Sequence, residues 1–346
     1  MIHRMLRALL PTLLAAALAA GEPISFGAWT PVRPGGKPLA VSYFNLVPAG
    51  DDGRIGLWFC AAMGRIDAQI AMRGPSLQQL PRPPALFDGT LVTGYTTPLL
   101  GRSSPIISRA SATRLRDGTH VILASIGPEY GAGGKSTELY PVLFRSPDGQ
   151  KGWTYLGAPT GEPKADLDRR RAAGALIRSD GGSIVEREDG TLRMYLHWDD
   201  AKGIRLACAE AATLDGPWTF LKDGSGAIRD VAPKLPNVTW IFPHVVPVGK
   251  RLLLTGGNAW PPKQILGAVS ADGTAFTILG DAAGARPLLT TADFGPDTAS
   301  IKCLRVAWNA KGGWLDAAAN PRRANEDDYR LHSATASVDP AIFGLR

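Results

Sequence analysis

Cysteine is scarce: the chain has three, at positions 60, 208 and 303, in 346 residues. An odd number cannot close entirely into disulfides, and none stands at metal-ligand spacing from a histidine. A disulfide scaffold and a structural zinc site are therefore excluded as organising principles, and buried, inert thiols are expected. Long apolar runs are also missing. The only extended one, residues 9–18, is too short to cross a bilayer, which excludes a membrane-spanning helix on this reading. No run of Lys and Arg interleaved with aromatics is present, which argues against a nucleic-acid partner. Charge of one sign is only mildly in excess: 38 basic against 31 acidic residues, a formal +7. That balance suits an ordinary basic surface and also tolerates an acidic glycan partner.

Turn formers are plentiful, with 40 Gly and 28 Pro, and they fit many turns rather than many helices. The N-terminus carries Arg4 and Arg7, the apolar run, and the small-x-small sequence Ala17-Leu18-Ala19. This is the pattern of a signal peptide over 1–20, removed near Ala19 or Ala20, leaving a secreted or periplasmic protein. Losing the two arginines takes the formal charge from +7 to +5. No cysteine follows the cleavage site, so no lipid anchor is expected. Residues 21–346 then form a single domain with 45% apolar residues over the whole chain, ample for a core.

Residues 179–221 show how that domain is built. Leu192, Met194 and Leu196 alternate with Arg193, Tyr195 and His197; Ile204, Leu206 and Cys208 alternate with Arg205, Ala207 and Ala209. A period of two marks strands, and the Asp189-Gly190 and Asp215-Gly216-Pro217 turns separate them. A polar loop is expected over 198–203. The result is a four-stranded meander with no helix inside it, which cannot bury both its faces alone and needs copies of itself on either side.

Degenerate copies are present. The first turn recurs at Asp52-Gly53, Asp117-Gly118, Asp189-Gly190, Val248-Gly249 and Lys311-Gly312. The second recurs as Ser146-Pro147-Asp148-Gly149 and Ser270-Ala271-Asp272-Gly273, each followed by an aromatic. Five such units predict an all-β fold, a five-bladed β-propeller of four-stranded antiparallel blades. Residues 24–29 read as a stray strand that completes the last blade. Residues 162–173 read as a charged loop, and 309–328 as the loop of the last blade.

In a propeller the starts of the innermost strands and the loops after the second strands converge on one mouth of the channel. These positions offer Arg65, Arg109, Glu129, Asp180, His197, Trp198, Asp199, Trp240, His244, Asn258 and Trp260. Carboxyl groups facing a glycosidic oxygen can divide acid and base roles, and flat aromatics stack on pyranose rings.

Two segments carry a family likeness. The first runs from Asp180-Gly181-Gly182-Ser183-Ile184-Val185 through Asp189-Gly190 to Met194-Tyr195; the second is residues 204–218, IRLACAEAATLDGPW. With the blade pattern, they resemble the five-bladed-propeller glycosidases of glycoside hydrolase families 43, 32, 68 and 117, of which this chain would be a divergent member. The resemblance implies that Asp180 holds or tunes the acid. It departs where family 43 places a base Asp at the start of blade 1, here Ser42-Tyr43-Phe44-Asn45, and an acid Glu in blade 4, here Trp240-Ile241-Phe242-Pro243-His244. Family 117 implies His244 as the acid, and the base stays open between Glu129 and Asp199. Substrate contacts fall to Arg65, Arg109, His197, Trp198, Trp240, Asn258 and Trp260.

The expected activity is an exported, monomeric glycoside hydrolase acting on an oligo- or polysaccharide, an anionic one included, without a cofactor. A Ca²⁺ in the channel stays open. Three alternatives remain: a propeller that binds glycan or protein without turnover, a propeller-type polysaccharide lyase, and a sialidase-like enzyme.

Overall fold

The computed structural model describes residues 22–33, 36–41, 43–48, 55–60, 67–71, 106–127, 140–149, 154–159, 178–200, 203–281 and 284–345. Residues 1–21, with the expected signal peptide, and the charged segment 162–173 lie outside them.

The strands are β1 (Ile24–Phe26), β2 (Thr30–Pro31), β3 (Tyr43–Pro48), β4 (Ile55–Cys60), β5 (Asp67–Ala71), β6 (Ile106–Arg114), β7 (His120–Gly127), β8 (Tyr140–Ser146) and β9 (Thr154–Gly157). They continue as β10 (Arg178–Glu186), β11 (Leu192–Asp200), β12 (Gly203–Ala211), β13 (Thr219–Phe220), β14 (Ile241–Val248), β15 (Arg251–Gly257), β16 (Gln264–Ser270) and β17 (Thr277–Ile278). Three two-residue strands follow, β18 (Gly280–Asp281), β19 (Gly284–Ala285) and β20 (Leu289–Thr290), and then β21 (Thr298–Asn309), β22 (Trp314–Arg323) and β23 (His332–Val338).

The chain is all-β, with four-stranded antiparallel blades in a propeller arrangement. Sheets β6-β7-β8-β9, β10-β11-β12-β13 and β14-β15-β16-β17 each follow chain order. The last sheet is β1-β23-β22-β21, so the N-terminal strand finishes the C-terminal blade, as expected, with Ile24 opposite Val338 and Phe26 opposite Ala336. Strands β3-β4-β5 form a three-stranded sheet among the described residues. The innermost strands touch in the order β3, β6, β10, β14, β21, and β21 returns to β3.

The turns do what their chemistry requires. Gly118, Gly190, Gly149 and Gly273 all have φ between 73° and 91°, a region open to glycine. Asp117 and Asp189 accept from the backbone N–H two residues on, at 2.8 and 3.0 Å. Ser270 Oγ accepts from Gly273 N at 2.8 Å, and the Gly273 carbonyl in turn accepts from the buried Tyr195 hydroxyl of the preceding blade at 2.9 Å. The repeated turns therefore tie neighbouring blades at the rim.

The core lies between the blades. Leu123, Met194, Leu196 and Trp198 pack in one cluster, Tyr195, Leu206, Val245 and Leu254 in a second, and Leu253, Ile265, Leu304 and Leu315 in a third. Two sequence expectations are corrected here. Residues 198–200 are not loop but the end of β11, with Trp198 opposite Arg205. Residues 309–328 are not one loop; they contain β22. Its centre, Ala317-Ala318-Ala319, is buried on both faces, so small uniform side chains leave no alternation to detect.

Cys208 and Cys303 are free and buried, and burial pushes the Cys208 thiol up to about 12. The Cys60 side chain lies outside the described residues.

Asp316 on β22 is 4% exposed, and burial pushes its carboxyl up to about 6. A carboxyl raised in this way contributes stability below its unfolded value near 3.8 and loses it as pH rises through about 6. By that linkage Asp316→Asn leaves the melting temperature unchanged near pH 4 and raises it at pH 8, by the equivalent of about 3 kcal/mol at most. Melting curves of both proteins across that range check it; an equal offset at both pH values would refute it.

Candidate active site

Four of the five innermost strands carry a β-bulge near their start. The register breaks between Ser108 and Ser111 in β6, Ser179 and Gly182 in β10, Ile241 and His244 in β14, and Ile301 and Leu304 in β21. The bulged positions are thus Arg109-Ala110, Asp180-Gly181, Phe242-Pro243 and Lys302-Cys303. Bulges at corresponding places in successive sheets re-aim side chains locally and concentrate at binding sites. Here they put an arginine, an aspartate, a phenylalanine and a lysine at equivalent places around one end of the ring.

Side chains from different blades meet at this end. The Tyr43 ring of β3 lies edge-on to Phe242 of β14, with centroids 5.5 Å apart. Phe242 also takes Trp260, from the loop after β15, edge-on at 5.6 Å. Its backbone is held at φ 50°, a left-handed conformation that costs a phenylalanine energy and persists only where neighbours enforce it. One enforcer is Arg305 of β21, whose guanidinium donates to the Phe242 carbonyl at 3.1 Å. The Lys302 ammonium sits 4.1 Å from the centre of the Tyr43 ring and 5.0 Å from that of Tyr329. Both cations are nearly buried, at 7% and 6% exposure.

Deeper in, side chains lace one inner strand to the next. Asn45 Nδ2 donates to Ser111 Oγ at 3.1 Å, Thr113 Oγ1 to the Ile184 carbonyl at 3.0 Å, and Val245 N to Ser183 Oγ at 2.9 Å. His244 Nε2 lies 3.4 Å from the Val306 carbonyl. Beyond His244 the channel opens as an apolar cavity of about 190 Å³, lined by Leu46, Ala112, Ile184, Val246 and Trp308 among others.

Several expected site residues are placed differently. His244 is 2% exposed, and burial together with the Arg305 charge holds its pKa well below the ordinary histidine value. It sits between β14 and β21 and lines the inner channel cavity rather than the open mouth. Trp198 is 1% exposed and packs on Phe220 at 5.3 Å; Trp240 is 6% exposed with its indole N–H on the Pro233 carbonyl at 3.1 Å. Neither offers a face to a sugar, and His197 is buried at 2% as well. All three stand in, or packed against, strands, where their bulk fills space between blades.

Trp260 is 59% exposed, one of two large apolar side chains open to solvent among the described residues. Asn258 is half-buried, and its backbone N–H donates to the Gln264 carbonyl at 3.1 Å. Asp199 is half-buried at the end of β11, opposite Arg178, while Asp180 stands two residues further along β10. For Arg109 and Asp180 only the backbone is described, and Glu129 and Arg65 lie outside the described residues.

Sequence reasoning overlooked Lys302, Arg305 and Tyr329. The signal was present: Lys and Arg inside the otherwise apolar run 299–308 are types rarely buried without a purpose.

No protein-family model matches the chain, and no curated protein matches it. Solved structures do. The native arabinanase of Bacillus subtilis superposes with a TM-score of 0.54 at 10% identity, over 85% of this chain and 94% of that one. A thermostable family-43 glycoside hydrolase gives 0.54 at 12%, over 89% and 92%. A protein of the family 130 work, which describes glycoside hydrolases that target β-1,2 mannosidic linkages in Candida mannan, gives 0.52 at 13%, over 88% of each chain. What the chain shares with these glycoside hydrolases, over most of its length, is the propeller fold.

Proposed function

We propose that the chain is an exported, monomeric glycoside hydrolase built as a five-bladed propeller, cleaving an oligo- or polysaccharide at the bulged end of the ring. The closed order of contacts from β3 round to β21 and back supports five blades. One observation carries the reading: Asp180 stands at the β10 bulge, next to the pairs that set Arg178 opposite Asp199 and Ser179 opposite Trp198, in a fold shared with glycoside hydrolases. Two carboxyl groups about 6.5–9.5 Å apart leave room for a water, the arrangement of inverting hydrolysis. Asp180 then tunes or supplies the acid, and Asp199 or Glu129 the base. His244 is left a structural part, since a buried neutral ring in contact with a backbone carbonyl cannot readily deliver a proton to a leaving oxygen. The reaction needs no metal and no cofactor on this scheme.

The test is to incubate the protein with plant, algal and bacterial oligosaccharides and uronate polymers and weigh the products. Fragments heavier by one water in total than the parent establish hydrolysis; an unsaturated product would replace this reading with a lyase.

Trp260 supplies the stacking face. Trp260→Ala raises KM about tenfold with kcat little changed, because stacking on an exposed ring is binding energy common to ground and transition states. A fall in kcat at constant KM would remove Trp260 from the binding surface.

A second reading has its own observation. The blade 4 bulge presents Phe242-Pro243 and no carboxylate. A propeller that holds a glycan without cleaving it fits that feature, and binding without any product in the same panel would establish it.

A further inference from the structure

Blade 5 carries a concentration of positive charge that the hydrolytic scheme does not use. At its outer part, on the same end of the ring as the bulges, a cavity of about 220 Å³ is walled by Phe294, Pro31 and Pro321 and edged by Arg33, Arg323, Arg330 and His332. Thr298, at the start of β21, stands opposite Arg323, which fixes the cavity on the bulged end. Its one acid, Glu326, pairs with Arg330 at 3.6 Å, and Asp328 approaches the same arginine at 3.7 Å. Arg33 and Arg323 are exposed and form no ion pair among the described residues. The His332 ring stacks edge-on against Phe294 at 5.5 Å; burial first, and then the charges of Arg323 and Arg33, lower its pKa.

The charge continues inward. Arg322, next to Arg323, lies 5.8 Å from the Tyr329 ring centre. Tyr329 in turn bears Lys302 on its face, and Lys302 touches Tyr43 at the mouth. Arg305 follows, with its Nε buried and without an acceptor among the described residues. Lys302 and Arg305 are nearly buried, so they add positive field behind the cavity, and the cations open to a ligand are those at its edge, Arg33 and Arg323.

Two guanidinium groups without an ion pair among the described residues, beside the Phe294 and His332 rings, match a sugar that carries a negative group. We infer that this cavity binds an anionic oligosaccharide, holding a carboxylate or a sulfate of one of its sugars at the rim of the bulged end. The inference rests on the proposed carbohydrate site for the class of ligand, but binding in the cavity does not require turnover.

The experiment is calorimetric titration of the full chain with three oligomers of equal length: an oligogalacturonate, its neutral galactan counterpart and a sulfated dextran. The Arg33→Gln/Arg323→Gln double variant is run beside it; both side chains are exposed, so folding is preserved, and a melting curve verifies it. The acidic oligomers bind more tightly than the neutral one, and the double variant loses about tenfold, corresponding to roughly 1.4 kcal/mol for two partly screened contacts. Preference for the uronate or for the sulfate identifies which anion is read. In the wild type, the His332 pKa, followed by NMR, rises when the acidic oligomer binds, because the anion offsets the two arginine charges. Equal affinity for neutral and acidic oligomers, or no change in the double variant, would overturn the inference. Binding of the acidic oligomer with no cleavage of any substrate would sink the hydrolase reading and leave the anion site standing. Hydrolysis of a neutral sugar together with equal affinity for neutral and acidic oligomers would do the opposite.

Discussion

Asp180→Asn lowers hydrolysis by about a thousandfold while the protein melts within a degree or two of the wild type. The magnitude is that of a positioned acid or base removed from a reaction that needs it. The substitution keeps shape and volume and removes only the charge and the exchangeable proton. Asp180 stands at the β10 bulge, beside the ladder that pairs Ser179 with Trp198 and Gly182 with Leu196. Its neighbours in the strand, Gly181 and Gly182, bring no competing side chain to the mouth. Initial rates and a melting curve for the two proteins separate the outcomes. Activity within threefold of wild type would take the chemistry away from this bulge. Loss of activity together with a large fall in melting temperature would assign Asp180 a structural role instead.

Gly182→Ala unfolds the protein or costs it more than about 4 kcal/mol. The glycine lies in β10 opposite Leu196. A Cβ there would collide with the Tyr195 carbonyl and come within 3.1 Å of both Leu123 Cδ2 and Leu196 Cδ2. The carbonyl belongs to the central strand β11, so it cannot yield without breaking a ladder. If β10 moves instead, it loses the contact of Ser183 Oγ with Val245 N and of Thr113 with the Ile184 carbonyl, which join three blades. For a chain of this size the loss corresponds to a fall of about 6 °C or more in melting temperature. Gly190→Ala is the informative comparison. That turn glycine has φ 83° and nothing within 4 Å of a built Cβ, so only the backbone conformation resists, at about 1–2 kcal/mol. If the two variants melt alike, crowding at Gly182 is relieved by adjustments that the packing gives no sign of.

Much of this architecture is legible in the primary structure. Alternation in 192–209, Asp-Gly turns at fixed places and the spare strand before residue 30 are local features, and local features survive in a single chain because each needs only its neighbours in sequence. Strand β22 was hidden because an alanine run buried on both faces has no alternation. The site is a different matter. His197, Trp198, Trp240 and His244 carry the right chemistry at the right height in their blades, but whether a strand residue faces solvent or an adjoining blade depends on a one-residue register and on bulges set by the opposite strand. Those bulges occur at Ser108/Ser111, Ser179/Gly182, Ile241/His244 and Ile301/Leu304, and no composition marks them.

By itself, then, the sequence determined that this is a repeating all-β chain whose last blade is closed by its first strand, because turn chemistry and period-two burial are written residue by residue. Only the tertiary structure decided that His244 is buried between two blades, that Trp198 and Trp240 are core, and that Lys302 and Arg305 meet Tyr43 and Phe242 at the mouth. These residues come from blades more than fifty positions apart, and their exposure and charge environment exist only once the inner strands stand side by side.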